Sequence, residues 1–280
     1  MAKHGELYSN EEIEQLDYHP TQHRESRGSL LKATGLFLGG IFSSNGYRKA
    51  ERELQELNVD DSCKIYYDSL RDQLFHSAEN EFAFPRLLAF TSCGKGEGVT
   101  TVATNFASAL ARHNDGKIVL VDANYESPSV HQYLEVDLSP GLGEILWEGV
   151  DYASAVQKTT APNLSVIASG KKNVKSLSLF ESEKFSEFLE YLKKEYDFVV
   201  FDTPPMCEFS GKTWVCSTSN VASKLGRHID GILLVIETER VRYQVVKSVQ
   251  QQLTRSKANI LGVILNKRKF HVPKFIYKTI

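Results

Sequence analysis

The stretch Phe90-Thr91-Ser92-Cys93-Gly94-Lys95-Gly96-Glu97-Gly98-Val99-Thr100-Thr101 has residue types and spacing suited to holding phosphates. Glycines let backbone N–H groups close on an anion, and a helix starting just after them adds its N-terminal dipole. Against the pattern G-x-x-x-x-G-K-[ST], Gly98 fills the second glycine and Thr100 the hydroxyl that ligates Mg²⁺, while Val99 stands where lysine belongs. Gly94, Gly96, Glu97, Gly98, Val99, Thr100 and Thr101 are therefore the candidate nucleotide-binding positions. Phosphoryl transfer depends on charge placed around the transferring group. Losing one such charge costs on the order of 3–4 kcal/mol, roughly 10²–10³-fold in rate. Lys95, four residues before Val99, has the reach to curl toward a phosphate and is the candidate catalytic replacement. The plainer alternative is a loop lysine facing solvent.

Two acids follow apolar runs in the pattern that places carboxylates beside such a loop. Asp122 ends Ile118-Val119-Leu120-Val121, and Asp202 ends Phe198-Val199-Val200-Phe201 and opens Asp202-Thr203-Pro204-Pro205. With Thr100, they form the candidate metal set for Mg²⁺ and, with Lys95, the candidate catalytic set. A further run, Gly262-Val263-Ile264-Leu265, ends in Asn266, whose amide could hydrogen-bond an adenine edge. One acid after a strand is usually only a turn-former; all of these in this order are hard to obtain by chance.

The elements that must position these residues follow from apolar runs at Leu87–Phe90, Ile118–Val121, Leu164–Ile167, Phe198–Phe201, Ile232–Ile236 and Ile260–Leu265. Near-continuous Val/Ile/Leu predicts strands buried on both faces. Helical spacing appears at Val102–Leu110, Phe185–Glu195 and Val241–Leu253. Alternating strands and helices predict a mostly parallel sheet with helices on both faces and ligands at the strands' carboxyl ends.

Composition narrows the setting. A formal net charge of −2 leaves no global basic footprint for nucleic acid. Cys63, Cys93, Cys207 and Cys216 form no C-x-x-C pair and no secretory signal opens the chain, which favours a reducing cytoplasm over disulfides. No apolar run approaches the roughly 18–20 residues that span a bilayer. Residues 1–60 read as a flexible, polar extension carrying a short apolar segment at 30–42, flanked by Arg24, Arg27, Arg48 and Lys49. That segment either packs on its own domain or touches a partner or lipid interface. Residues 61–280 read as the globular domain.

Taken together, these residues resemble the bacterial tyrosine kinases of capsule and exopolysaccharide synthesis, and more broadly the deviant-Walker ATPases that include the Min and Par partition proteins. The likeness covers Cys63 to Asn266 and includes Asp122-Ala123-Asn124-Tyr125-Glu126-Ser127-Pro128-Ser129, Ser139-Pro140-Gly141-Leu142 and Asp202-Thr203-Pro204-Pro205. It implies an α/β, three-layer P-loop NTPase-like domain that binds ATP or ADP with Mg²⁺, weakly here. It also implies a membrane polysaccharide co-polymerase as partner, self-association into a ring, and a cytoplasmic place peripheral to the inner membrane, with membrane contact mainly through that partner. The departures fall on functional positions. Besides Val99, Asn124 stands where a second acid is usual and Glu126 where a basic residue is usual. Arg71 is all that remains of the oligomerisation motif, and Tyr277 is the lone candidate phosphotyrosine near the C-terminus. The leading expectation is a kinase-like regulator of polysaccharide polymerisation and export, with weak or absent kinase activity. One alternative is an active autokinase or ATPase using Lys95 or a partner's residue. The other is a partition-type positioning ATPase, against which Ser139-Pro140-Gly141-Leu142 and Gly94 in place of a signature lysine both argue.

Overall fold

The computed structural model describes residues 59–78, 85–171, 177–211, 213–217 and 220–267. The apolar segment 30–42, the chain before it, and the tail with Tyr277 lie outside the described residues. Strands occur where the Val/Ile/Leu runs lie: β1 (Leu87–Ser92), β2 (Ile118–Asp122), β4 (Leu164–Ile167), β5 (Phe198–Asp202), β8 (Gly231–Glu237) and β9 (Ile260–Asn266). The short β3 (Gln157–Lys158) and the pair β6 (Cys207–Ser210) and β7 (Thr213–Cys216) complete the set. Seven strands form one sheet in the order β3-β4-β2-β5-β1-β8-β9, in which every neighbouring pair is parallel except β3 and β4.

Successive side chains on a strand point to opposite faces, so each inner strand feeds two apolar layers. Leu88, Phe90, Ile118, Leu120, Val200, Leu233 and Val235 face one layer. Helices α1 (Val59–Ala78) and α2 (Val99–Arg112) cover it with Tyr67, Leu70, Leu74, Val102 and Phe106. Ala89, Val119, Val121, Val199, Phe201, Ile232 and Leu234 face the other layer. There the cover comes from α4 (Leu142–Glu148), α6 (Glu183–Glu195), α7 (Val221–Leu225) and α8 (Tyr243–Arg255). Two short helices, α3 (Val130–Tyr133) and α5 (Tyr152–Ala155), lie in connections. Helix α6 shows why such segments start and stop where they do. The Ser182 side chain accepts from the Phe185 N–H at 3.2 Å, Glu183 follows in the first turn, and Lys193 and Lys194 sit in the last. The result is the expected three-layer α/β architecture with a mostly parallel sheet.

One expectation fails in the described structure. Cys207 and Cys216 are cross-strand partners in the β6–β7 hairpin and are joined by a disulfide. A separation of nine residues hid this, because the two meet only once the chain folds back on itself. Cys93 is free and buried, and burial raises its thiol pKa far out of the reactive range. Among the described residues, no helix is long and apolar enough to cross a membrane.

Candidate nucleotide site

The phosphate loop runs from the end of β1 into α2. Gly98, the residue before α2, has φ of 93°, and a Cβ there would collide with the Asn266 amide. A side chain at Gly94 would run into the Trp214 ring, which packs over the loop from the hairpin. Both glycines are therefore demanded by close approach, and Gly98 by backbone conformation as well.

The carbonyl groups of this loop are occupied from behind. Ser92 O accepts from Met206 N and Cys93 O from Cys207 N, each at 2.8 Å. Gly94 O accepts from the Ser92 hydroxyl at 2.8 Å, and Gly98 O from Val102 N at 3.0 Å. Glu97 O accepts from the Asn266 amide at 2.8 Å, and Gly96 O from the Lys267 ammonium. The Glu97 carboxylate is fully buried, turned back to accept from Gly94 N at 2.5 Å and Glu237 N at 3.1 Å. Burial outweighs these hydrogen bonds and pushes its pKa up to about 7. The N–H groups of Gly96, Glu97, Gly98, Val99, Thr100 and Thr101 take no acceptor among the described residues. Those of the first helical turn are the usual orphans of a helix start. Most of the loop's carbonyls are thus taken up within the chain while a run of its N–H groups is left to donate, the arrangement that binds phosphate.

Asp122 and Asp202 are paired in register on adjacent parallel strands, so both carboxylates emerge at the same level beside the loop. Asp122 Oδ1 accepts from Asn124 N at 3.0 Å, and Oδ2 from Ser129 N and Val130 N, each at 3.2 Å. The Thr100 hydroxyl donates to Asp202 Oδ2 at 2.6 Å and accepts from Ser129 Oγ at 3.1 Å. Asp202 Oδ1 is buried without a partner. Burial raises both carboxyl groups, Asp122 to about 6, and the charge of Asp122 raises Asp202 further. A buried acid pair with an orphaned oxygen beside a hydroxyl is suited to Mg²⁺, which is held by few carboxylates and completes its shell with water and phosphate. Thr100, Asp202 and Asp122 would hold it, and it would neutralise phosphate charge there.

The remaining positions separate. Val99 is buried in the apolar layer with Phe90, Val102 and Phe106, so the lysine position is occupied by a core residue. Lys95 is exposed at the loop's tip, where it offsets the effects of burial and Glu208 that raise the Glu126 carboxyl. Asn266, set by sequence against an adenine edge, is fully buried with its amide on the loop carbonyl of Glu97 and its Oδ1 accepting from Lys267 N. The Thr101 hydroxyl lies 2.9 Å from the Tyr133 hydroxyl. Arg71 is directed within its own chain: Nε and Nη2 donate to the two Asp115 carboxylate oxygens at 2.5 Å, and Nη1 donates to Asp72. Asn124 accepts from Ser127 N at 3.3 Å in the turn after β2. Sequence reasoning missed Trp214, Ser129, Tyr133, Glu237, Arg240 and Lys267. Lys267 carried a signal, directly following Asn266 at a strand's carboxyl end, and Ser129 lay in the stretch after Asp122 that carries the family likeness.

Residues 86–224 match the family model described as an AAA domain. The chain is 28% identical over 204 residues to tyrosine-protein kinase CpsD of Streptococcus agalactiae, covering 72% of this chain and 82% of that protein. It is 30% identical over 179 residues to tyrosine-protein kinase YwqD of Bacillus subtilis (strain 168), covering 64% and 71%. Among solved structures, the kinase domain of Escherichia coli tyrosine kinase ETK superposes with a TM-score of 0.64 at 26% identity, covering 76% of this chain and 79% of that one. The VpsO kinase domain gives 0.62 at 26% identity, covering 75% and 98%. A donor-lined loop, in-register acids at the ends of β2 and β5, and this likeness in sequence and fold place the chain in the family of bacterial tyrosine-protein kinases.

Proposed function

We propose that the protein binds ATP or ADP with Mg²⁺ and acts as a kinase-like regulator of exopolysaccharide or capsule polymerisation and export, with weak or absent tyrosine kinase activity. The observation that carries this is the split within one site. The loop donors, Thr100, Asp122 and Asp202 are in place, while Val99 puts a buried aliphatic side chain where the phosphate lysine belongs. Binding draws on many backbone donors, whereas transfer draws on charge at the reacting phosphate, so loss of that lysine damages transfer more than binding. The proposal includes a cytoplasmic location, with a membrane co-polymerase as the partner that the nucleotide-bound form recognises. That location draws on the likeness to the tyrosine-protein kinases and not on the cysteines, since the Cys207–Cys216 disulfide is unusual in a reducing compartment. Self-association would have to draw Arg71 away from Asp115 or use another surface.

The test is a titration of the purified protein with ATP and Mg²⁺, following binding and phosphate transfer together, with Val99→Lys and Lys95→Ala alongside. Binding without turnover, and turnover gained in Val99→Lys, is the expected result. Turnover in the unaltered chain that disappears in Lys95→Ala would replace the regulator with an active autokinase, and Tyr277 would be the first tyrosine to inspect for phosphate.

A further inference from the structure

Lys267 follows the last residue of β9, yet its ammonium reaches the phosphate loop and donates to the Gly96 carbonyl. It also donates to Glu237 Oε2 at 3.1 Å, and Arg240 Nη1 donates to the same oxygen at 2.7 Å. Glu237 thus faces both cations, and the buried Glu97 carboxyl, which Arg240 helps to keep ionised, is the second acid of this cluster. The Lys267 ammonium therefore acts on the loop through its direct bond to the Gly96 carbonyl and not through a net charge. Arg240 Nη1 itself lies 3.4 Å from where a Cβ on Gly96 would be. Carbonyl and N–H of one peptide point in opposite directions. A cation on Gly96 O therefore sits on the far side of the peptide whose N–H belongs to Glu97, one of the donors without a protein acceptor. The next peptide is treated likewise, with the Asn266 amide on Glu97 O and the Gly98 N–H opposite. A donor placed on a carbonyl polarises the peptide and makes its N–H a stronger donor in turn.

We propose that Lys267 is a positioning residue for phosphate, replacing from outside the loop part of the positive potential that Val99 cannot supply from inside it. The ammonium raises the field at the loop's free N–H donors and fixes the Gly96–Glu97 peptide with its N–H toward the ligand. This role rests on the proposed nucleotide binding and is specific to phosphate, because the polarised donors line the anion site. It needs no movement of the side chain. It also accounts for a lysine held over a loop carbonyl when a carboxylate and solvent are both within reach, the Lys267 side chain being 30% exposed.

The experiment is isothermal titration of the full chain with ADP and, separately, with pyrophosphate, both with Mg²⁺, for the unaltered protein, Lys267→Met and Lys267→Arg. Methionine keeps the stem and removes the charge; arginine restores the charge. Thermal melts without ligand establish that each variant is folded. Expected is a loss of roughly tenfold in affinity for both ligands in Lys267→Met, by a similar factor, with substantial recovery in Lys267→Arg. Raised ionic strength should shrink the gap between the two variants. Equal affinities in a folded Lys267→Met would overturn the role while leaving nucleotide binding intact. A loss confined to ADP, with pyrophosphate unaffected, would also overturn it, by placing Lys267 at the nucleoside. No binding of either ligand by the unaltered chain would remove both this role and the nucleotide site itself.

Discussion

At the scale of single residues, the acid pair sets a pH dependence whose sign follows from burial. Asp122 titrates at about 6 in the folded chain and Asp202 is also raised, whereas an unfolded aspartate titrates near 3.9. Between roughly pH 4 and 6 the folded state holds more protons than the unfolded one, so ligand-free stability falls as pH rises through that window. Glu97, held at about 7 by burial, adds to the same trend. The proposed binding of Mg²⁺ would run the other way, because it needs the ionised pair. Affinity for MgADP should therefore climb between pH 5.5 and 7.5, and Asp202→Asn should flatten that climb while leaving the protein folded. A binding profile that is level across this range would mean that the two carboxylates are not the metal's ligands. The sequence disclosed both acids, since each ends a Val/Ile/Phe run, and it disclosed Thr100 by its distance from Gly98. It did not disclose that Glu97 braces the loop with its side chain, or that Lys267 reaches Gly96 across 171 residues. Such contacts depend on which strand ends become neighbours, and spacing along the chain does not encode that.

At the scale of elements, the strands and long helices were legible because their signals are local. Apolar runs match β1, β2, β4, β5, β8 and β9 to within a residue or two, and α6 and α8 follow their helical spacing. The β6–β7 hairpin was not legible. It follows Asp202-Thr203-Pro204-Pro205, and its strands are only four residues each: Cys207-Glu208-Phe209-Ser210 alternates apolar with polar but Thr213-Trp214-Val215-Cys216 does not, too short a signal to mark a hairpin. Yet it matters to the site, because Trp214 packs on Gly94 and lies against Phe209 with ring centroids 5.3 Å apart. An isolated two-stranded hairpin is marginal in water, and the Cys207–Cys216 bond removes roughly 2–3 kcal/mol of loop entropy from its open form. Replacing both cysteines by serine should loosen the hairpin, shift Trp214 fluorescence to the red and weaken ADP binding as the loop loses its cover. Trp147, 63% exposed, would contribute an unchanging background. Unaltered emission in the double variant would show that strand packing alone holds the hairpin in place.

At the scale of the whole molecule, the site and the brace that supports it occupy opposite ends of one helix. Helix α2 has 14 residues and so is about 21 Å long. Its first turn carries Val99, Thr100 and Thr101, and just beyond its last turn Asp115 receives the two-pronged bond from Arg71 of α1. Arg112 adds a second tie to α1 through Asp68 at 2.6 Å, and the Arg71 guanidinium lies 4.4 Å from the Phe75 ring centre. Arg71 and Asp115 are largely buried, with side chains 16% and 9% exposed, so removing the guanidinium strands a carboxylate. Arg71→Ala should cost about 1–3 kcal/mol and lower Tm by roughly 3–10 °C for a domain of this size. ADP with Mg²⁺ at a hundredfold excess over its Kd should raise Tm by an increment worth about 2.7 kcal/mol. Sites this far apart with no shared partner act additively, so Arg71→Ala should keep that ADP increment in full while starting from a lower melting point. Thermal melts of the two proteins with and without MgADP decide the matter. Loss of the increment along with Arg71 would mean that α1 transmits to the phosphate loop through α2, and the helix pair would then be a coupling element instead of a passive brace.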